Sequence, residues 1–120
     1  MTPIQALIED AFERRADITP ATVTPETKVA IDAVIADIDA GRLRVAEKIA
    51  GEWVTHQWLK KAVLLSFRLN NNEQIRAGEL GFYDKVPTKF SHLSAAELEE
   101  SGVRIVPPAV ARRGSYIAKG

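Results

Sequence analysis

The chain has 120 residues, of which 46% are hydrophobic and 27% are charged, proportions typical of a globular domain rather than of a disordered chain. Sixteen basic residues balance sixteen acidic ones, so no overall field attracts nucleic acid or an anionic membrane. The absence of cysteine excludes disulfides and zinc–thiolate sites, and with only two histidines we expect neither a metal site nor a bound cofactor.

No targeting or membrane signal is found in the sequence. The N-terminus lacks the basic stretch, the apolar stretch and the small-residue cleavage site of a secretory signal. Apolar runs such as Ala62–Leu65 are far shorter than the roughly 20 residues needed to span a bilayer. We therefore expect a soluble, cytoplasmic protein without membrane or nucleic-acid partners.

Two helices are predicted at the start of the chain. Thr2-Pro3 and Thr24-Pro25 each place a capping threonine before a proline at the first helical position. Apolar residues then recur at helical spacing. We expect the first helix to end near Ala16 and the second at Gly41.

A β-hairpin and a third helix are predicted next. The alternation from Leu43 to Ile49, followed by Trp53-Val54-Thr55, indicates a hairpin with Gly51 in its turn. Thr55 is expected to cap a helix that runs through Leu69 and ends at the asparagines that follow. Trp53 and Trp58 flank this junction, and we interpret both as core residues.

The sequence patterns that predict helices and strands are weaker in the last third of the chain. Phe82-Tyr83 and Val86 favour one short strand at a sheet edge. Ser94 and Glu97 form a capping box that begins a short helix, which Gly102 ends. Val103–Val106 is predicted to be a strand.

No motif of established catalytic chemistry is visible. The sequence has no glycine-rich phosphate loop, nucleophile elbow, metal motif or paired catalytic carboxylates. Lys60-Lys61 and His56 are interpreted as surface residues of the third helix, and Arg112-Arg113 as part of a linker. Arg104 stands out because it lies in an apolar segment before a double proline. Its guanidinium either binds a carboxylate or phosphate or, by strand alternation, simply points to solvent.

Several blocks of the sequence carry a resemblance to a known family. The longest is Trp53–Arg68, with shorter ones at Ala11–Ala16, Leu43–Lys48 and Arg104–Pro108. Together they cover essentially the whole chain in order. The sequence resembles the N-terminal portion of tetrahydrodipicolinate N-succinyltransferases.

The resemblance implies a fold class and a domain organisation. Residues 1–108 would form a mostly α (α+β) N-terminal domain of about four helices with one or two β-hairpins. Residues 109–120, and Ala111–Tyr116 in particular, would begin a left-handed parallel β-helix of hexapeptide repeats. Without further rungs, we expect these residues to be disordered or packed against a neighbouring molecule. Family members are expected to be homotrimers.

The resemblance also implies an activity. These enzymes use succinyl-CoA to succinylate the amino group of acyclic tetrahydrodipicolinate, a dicarboxylate, in lysine (diaminopimelate) biosynthesis. Arg104 matches the family's substrate-binding arginine, whereas the CoA site and the catalytic carboxylates are expected beyond Gly120. The chain alone should therefore be inactive. The alternative is a stand-alone helical interaction module without catalysis.

Overall fold

A computed structural model describes residues 1–120. Four α-helices and two β-hairpins follow one another along the chain, which confirms the α+β class predicted above. In chain order the elements are α1 (Pro3–Glu13), a 3-10 turn (Arg15–Asp17), α2 (Pro25–Asp39), β1 (Ala46–Ile49), β2 (Glu52–Thr55), α3 (Gln57–Ser66), β3 (Glu73–Ala77), β4 (Leu80–Asp84) and α4 (Ala95–Ser101). No helix is both long enough and apolar enough to cross a membrane.

The predicted helix starts are confirmed by their caps. The side chain of Thr2 accepts a hydrogen bond from the backbone N–H of Gln5, and that of Thr24 accepts one from Thr27, both at 3.2 Å. Each cap is typically worth about 1 kcal/mol. The first α-helix ends earlier than predicted, at Glu13, and the 3-10 turn carries the chain onward.

The core lies between α1, α2 and α3, which pack pairwise against one another. Apolar side chains from one face of each helix fill it, because the helical spacing of these residues aligns them on that face. Every buried residue falls between positions 8 and 69: Ile8, Ala11, Ile18, Thr27, Ile31, Val34, Ile35, Leu59, Ala62, Leu65 and Leu69. The radius of gyration is 16.1 Å, against about 14 Å expected for a compact chain of this length. The second half of the chain therefore spreads beside the core rather than enlarging it.

The first hairpin is confirmed, but one of its residues was misplaced by the prediction. Ala50 and Gly51 both have positive φ, 51° and 82°, as a two-residue turn of type I′ requires. Trp53 pairs with Lys48 across the hairpin on the face that points to solvent, and its side chain is 72% exposed. The interpretation of Trp53 as a core residue is therefore wrong, whereas Trp58 does pack against the core.

The third helix differs from the prediction at both ends. Thr55 stays in β2, paired with Ala46, so it cannot cap the helix. His56 takes the N-cap position without a side-chain hydrogen bond. The helix ends at Ser66, and Leu69 is buried beyond its last turn.

In the second half of the chain the structure has a second hairpin, which the family resemblance allowed but the residue pattern did not show, and one predicted strand is absent. β3 and β4 pair in antiparallel register from Glu73–Asp84 to Ala77–Leu80, whereas only a short strand near Phe82 was predicted. Val103–Val106 belongs to no strand, so the strand predicted there is wrong. The capping box of α4 is confirmed: Ser94 Oγ accepts from Glu97 N–H at 3.2 Å, and Glu97 Oε1 accepts from Ser94 N–H at 3.1 Å.

Candidate functional site

Arg104 lies on the segment between α4 and the Pro107-Pro108 pair. Its two neighbours, Val103 and Ile105, are half-buried, whereas Arg104 is exposed. The alternation expected of a strand thus persists without a pairing partner. The guanidinium of Arg104 takes part in no ion pair of the structure. It is therefore available to an external anion.

The segment that carries Arg104 is anchored at its start by a turn. α4 ends at Gly102, whose φ of 68° is the left-handed conformation that favours glycine. The hydroxyl of Ser101 donates to the carbonyl of Leu98 at 2.6 Å and accepts from the N–H of Val103 at 3.2 Å. These bonds fix the direction in which the chain leaves the helix.

The segment also forms part of the wall of an apolar groove. Ile105 lines this groove together with Leu80 and Phe82 of the second hairpin and Leu98 of α4. Ile105 is half-buried beside this groove, whereas Arg104 is exposed.

The residues after Pro108 return to the body of the molecule. The carbonyl of Ala111 accepts from Lys89 N–H at 2.9 Å, and the N–H of Arg113 donates to the carbonyl of Pro87 at 2.9 Å. Thr88 and Arg112 form an isolated antiparallel bridge between the same two segments. Residues 111–113 are thus joined to residues 87–89 through backbone contacts.

Asp39, the last residue of α2, joins three segments that are distant in sequence. Its Oδ1 lies 2.8 Å from Lys89 Nζ and accepts from the N–H of Gly114 at 2.7 Å. Lys89 Nζ also donates to the backbone carbonyl of Asp39 at 2.8 Å, where it satisfies a carbonyl at the helix C-terminus. We call this arrangement the Asp39 junction.

The electrostatics of the Asp39 junction favour the ionised carboxylate. Burial raises the pKa of the Asp39 carboxyl, because a charge is poorly solvated there. The hydrogen bonds from Lys89 and Gly114 and the positive charge of Lys89 outweigh burial. The pKa of Asp39 therefore lies below its ordinary value of 3.8. Nothing in the sequence pattern indicated this junction.

Arg112 also has a contact that sequence reasoning missed. Its Nη2 lies 2.9 Å from Oδ2 of Asp84, so the residue is part of an ion pair rather than of a featureless linker. The backbone N–H of Lys85, with smaller contributions from Val86 and Arg112, holds the pKa of the exposed Asp84 carboxyl below its ordinary value.

The remaining candidates do not form a catalytic arrangement. Lys61 pairs with Glu9 of α1, and Lys60 is exposed on a different side of α3. His56 Nε2 lies 3.3 Å from Glu47 Oε2, a contact that joins α3 to the first hairpin. No group of three metal-ligating side chains is close enough to hold a metal ion.

Comparisons with known proteins identify the family. The family model described as "Tetrahydrodipicolinate N-succinyltransferase N-terminal" matches residues 3–69. The enzyme named 2,3,4,5-tetrahydropyridine-2,6-dicarboxylate N-succinyltransferase from Laribacter hongkongensis is 76% identical over 118 residues, which are 98% of this chain and 43% of the relative. The enzymes of the same name from Variovorax paradoxus and Pasteurella multocida are 64% identical over 118 residues and 59% identical over 116, covering 98% and 97% of this chain and 43% and 42% of the relatives. The chain thus spans less than half the length of these relatives, and it belongs to the tetrahydrodipicolinate N-succinyltransferase family, to whose N-terminal domain it corresponds.

Proposed function

We propose that this chain is the dicarboxylate-binding part of an enzyme that succinylates acyclic tetrahydrodipicolinate with succinyl-CoA, a step of lysine (diaminopimelate) biosynthesis in the cytoplasm. The relatives that match almost the whole chain carry the name of an N-succinyltransferase acting on a dicarboxylate. The observation that carries the residue assignment is the exposed guanidinium of Arg104, which has no partner within the chain.

Arg104 is proposed to hold one carboxylate of the substrate. A guanidinium presents parallel N–H donors that match the two oxygens of a carboxylate, so one residue fixes both position and orientation. The turn before Arg104 restrains the backbone that carries it before the substrate arrives, which lowers the entropy lost on binding. Such positioning serves the reaction by bringing the substrate amine to a fixed place.

The chemical step is proposed to take place on residues beyond this chain. The unprotonated amine attacks the thioester carbonyl of succinyl-CoA, a C–N bond forms, the C–S bond breaks, and the CoA thiolate leaves and takes up a proton. The CoA site and the catalytic carboxylates are proposed to lie on a left-handed β-helix of hexapeptide repeats, which assembles as a homotrimer and for which residues 109–120 form the beginning. Residues 1–108 are then the N-terminal domain, and the chain alone releases no CoA from succinyl-CoA.

The test is Arg104→Ala and Arg104→Lys in the enzyme at the full length of its relatives. Loss of a bidentate charge-assisted contact should cost about 2–4 kcal/mol of binding. At ~1.4 kcal/mol per tenfold, that is about 30- to 700-fold in the dicarboxylate constant. Lysine should rescue only part of this, because an ammonium cannot reproduce the planar fork. The succinyl-CoA constant and the melting temperature should change little.

Arg76→Ala is the matched control for these variants. Arg76 is exposed on β3 and also forms no ion pair, so its removal takes away the same charge elsewhere on the surface. Arg76→Ala should leave both substrate constants unchanged. A sharp fall of the melting temperature in Arg104→Ala, with an unchanged dicarboxylate constant, would show that Arg104 is structural and overturn the assignment.

A further inference from the structure

A second group of cations lines a cleft that does not include Arg104. The cleft has two lobes, of about 520 Å³ and about 150 Å³, and both are lined by Phe67 and Lys85, so they are adjacent. The larger lobe alone falls within the size range of small-molecule sites, roughly 300–1,000 Å³. We name this feature the basic cleft after its cationic residues, which are Arg15, Arg68, Lys85, Arg112 and Arg113.

The charge of the basic cleft is neutralised only in part: Arg112 pairs with Asp84, and Asp32 lines the smaller lobe. The larger lobe is lined by three cations, Arg15, Arg68 and Lys85, and by no acidic residue. Lys85 is half-buried and Arg68 is exposed, and neither takes part in an ion pair. A partly desolvated ammonium without a counter-ion is unfavourable unless an anion joins it. In a chain with equal numbers of acidic and basic residues, this is a local excess of positive charge.

Arg112 and Arg113 extend the positive charge into the smaller lobe. The acidic residue among those that line it is Asp32, and the neighbouring Asp84 is already paired with Arg112. Arg113 forms no ion pair, and its backbone is fixed by the hydrogen bond to Pro87. The smaller lobe therefore shares the sign of the larger one.

Apolar surface lies between these cations. Phe67, the residue common to both lobes, is 37% exposed, and the guanidinium carbon of Arg112 lies 6.0 Å from the centre of its ring. Leu64 in the larger lobe is 44% exposed, whereas the ring of Phe12 is covered by Arg15 at 4.3 Å. Ile35, Val63 and Val86 line the smaller lobe. An anion with an apolar body can bury that body here while its charges reach the cations.

We propose that the basic cleft binds a ligand of the nucleoside diphosphate class. A phosphate chain offers oxygens in several directions, which suits guanidinium and ammonium groups that approach from four separate segments. A flat aromatic base suits the exposed ring of Phe67 and the guanidinium beside it. A single carboxylate would occupy only one of these cations. The site is independent of the dicarboxylate site proposed at Arg104.

The experiment titrates the chain with three probes, ADP, inorganic pyrophosphate and adenosine, in magnesium-free buffer by isothermal calorimetry. ADP should bind saturably and more tightly than pyrophosphate, and adenosine should bind most weakly, because the cleft uses both charge and apolar surface. Lys85→Gln and Arg68→Gln should each weaken ADP binding by about tenfold or more, since each removes a charge-assisted contact.

Lys60→Gln is the matched control, because Lys60 is an exposed lysine of α3 that does not line the basic cleft. It should leave ADP binding unchanged, and circular dichroism should show the same helix content in all variants. Absence of saturable ADP binding overturns the proposal. So does ADP binding that is unaffected by both Lys85→Gln and Arg68→Gln, or pyrophosphate binding as tight as that of ADP.

Discussion

The ammonium nitrogen of Lys89 lies 2.8 Å from Oδ1 of Asp39 and 2.8 Å from the backbone carbonyl oxygen of the same residue. The Lys89 side chain therefore neutralises the Asp39 carboxylate and also donates to the carbonyl at the C-terminus of α2. With Gly114 bound to the same carboxylate, this contact connects α2 to two segments of the second half of the chain. Substitution of Asp39 therefore tests how much these contacts contribute to the free energy of unfolding.

Asp39→Ala should destabilise the fold by about 1–3 kcal/mol, because Lys89 loses its counter-charge and the N–H of Gly114 loses its acceptor. Asp39→Asn should cost less, since its side-chain oxygen still accepts from Gly114. Urea denaturation at pH 7 measures both. The exposed Asp37→Asn, whose pair with Arg42 lies on the surface, is the control and should change the free energy of unfolding by less than about 1 kcal/mol. Equal effects of Asp39→Ala and Asp37→Asn would contradict a structural role for the junction.

The contribution of Asp39 should depend on pH in a defined direction. Its pKa is lower in the folded chain than the ordinary 3.8, so the folded state binds the proton less readily than the unfolded state. The stabilisation is fully present above the ordinary pKa and is lost as the pH falls through the lowered one. The difference in unfolding free energy between the native chain and Asp39→Asn should therefore shrink between pH 5 and more acidic buffers. If the difference instead grew on acidification, the pKa of Asp39 would not be lowered in the folded chain.

Gly41→Ala should be strongly unfavourable. Gly41 has φ of 77°, and a Cβ built there would lie 2.7 Å from Cε2 of Tyr116. The change therefore adds a steric clash to a backbone cost of about 1–2 kcal/mol. In the double variant, Tyr116→Ala should relieve the clash but not the backbone cost. The difference between the melting temperatures of the single and double variants therefore measures the clash alone. Gly81→Ala, which meets open space, is the control.

Ala50→Asn should stabilise the first hairpin. Ala50 has φ of 51°, a conformation that alanine tolerates poorly and asparagine tolerates well in a two-residue turn before glycine. We expect a gain of up to about 1 kcal/mol in the unfolding free energy. Ala46→Asn, placed in β1, should instead be neutral or unfavourable. A loss of stability in Ala50→Asn would contradict the type I′ turn.

The sequence predicts those features that depend on neighbouring residues. Thr2, Thr24 and Ser94 begin their helices as expected, because a cap is made within four residues. The first hairpin is predicted for the same reason. Trp53 was misplaced because alternation gives two faces without saying which one meets the core.

Features that depend on distant partners were not predicted. The strand expected at Val103–Val106 fails because a strand needs another strand beside it, and none is there. The Asp39 junction joins residues separated by 50 and 75 positions, and no local pattern marks such a contact. The exposure of Arg104 followed from alternation alone, whereas the turn that restrains its backbone is visible only in three dimensions.

Every buried residue lies between positions 8 and 69, so the two parts of the chain contribute differently to stability. Substitutions in the first part act mainly on whether the chain folds, because they disturb a shared core. The part after Leu69 lies on that core without a buried interior of its own, so many of its side chains are free to vary with little effect on global stability. Selection can therefore adjust the surroundings of Arg104 while the helical bundle remains unchanged.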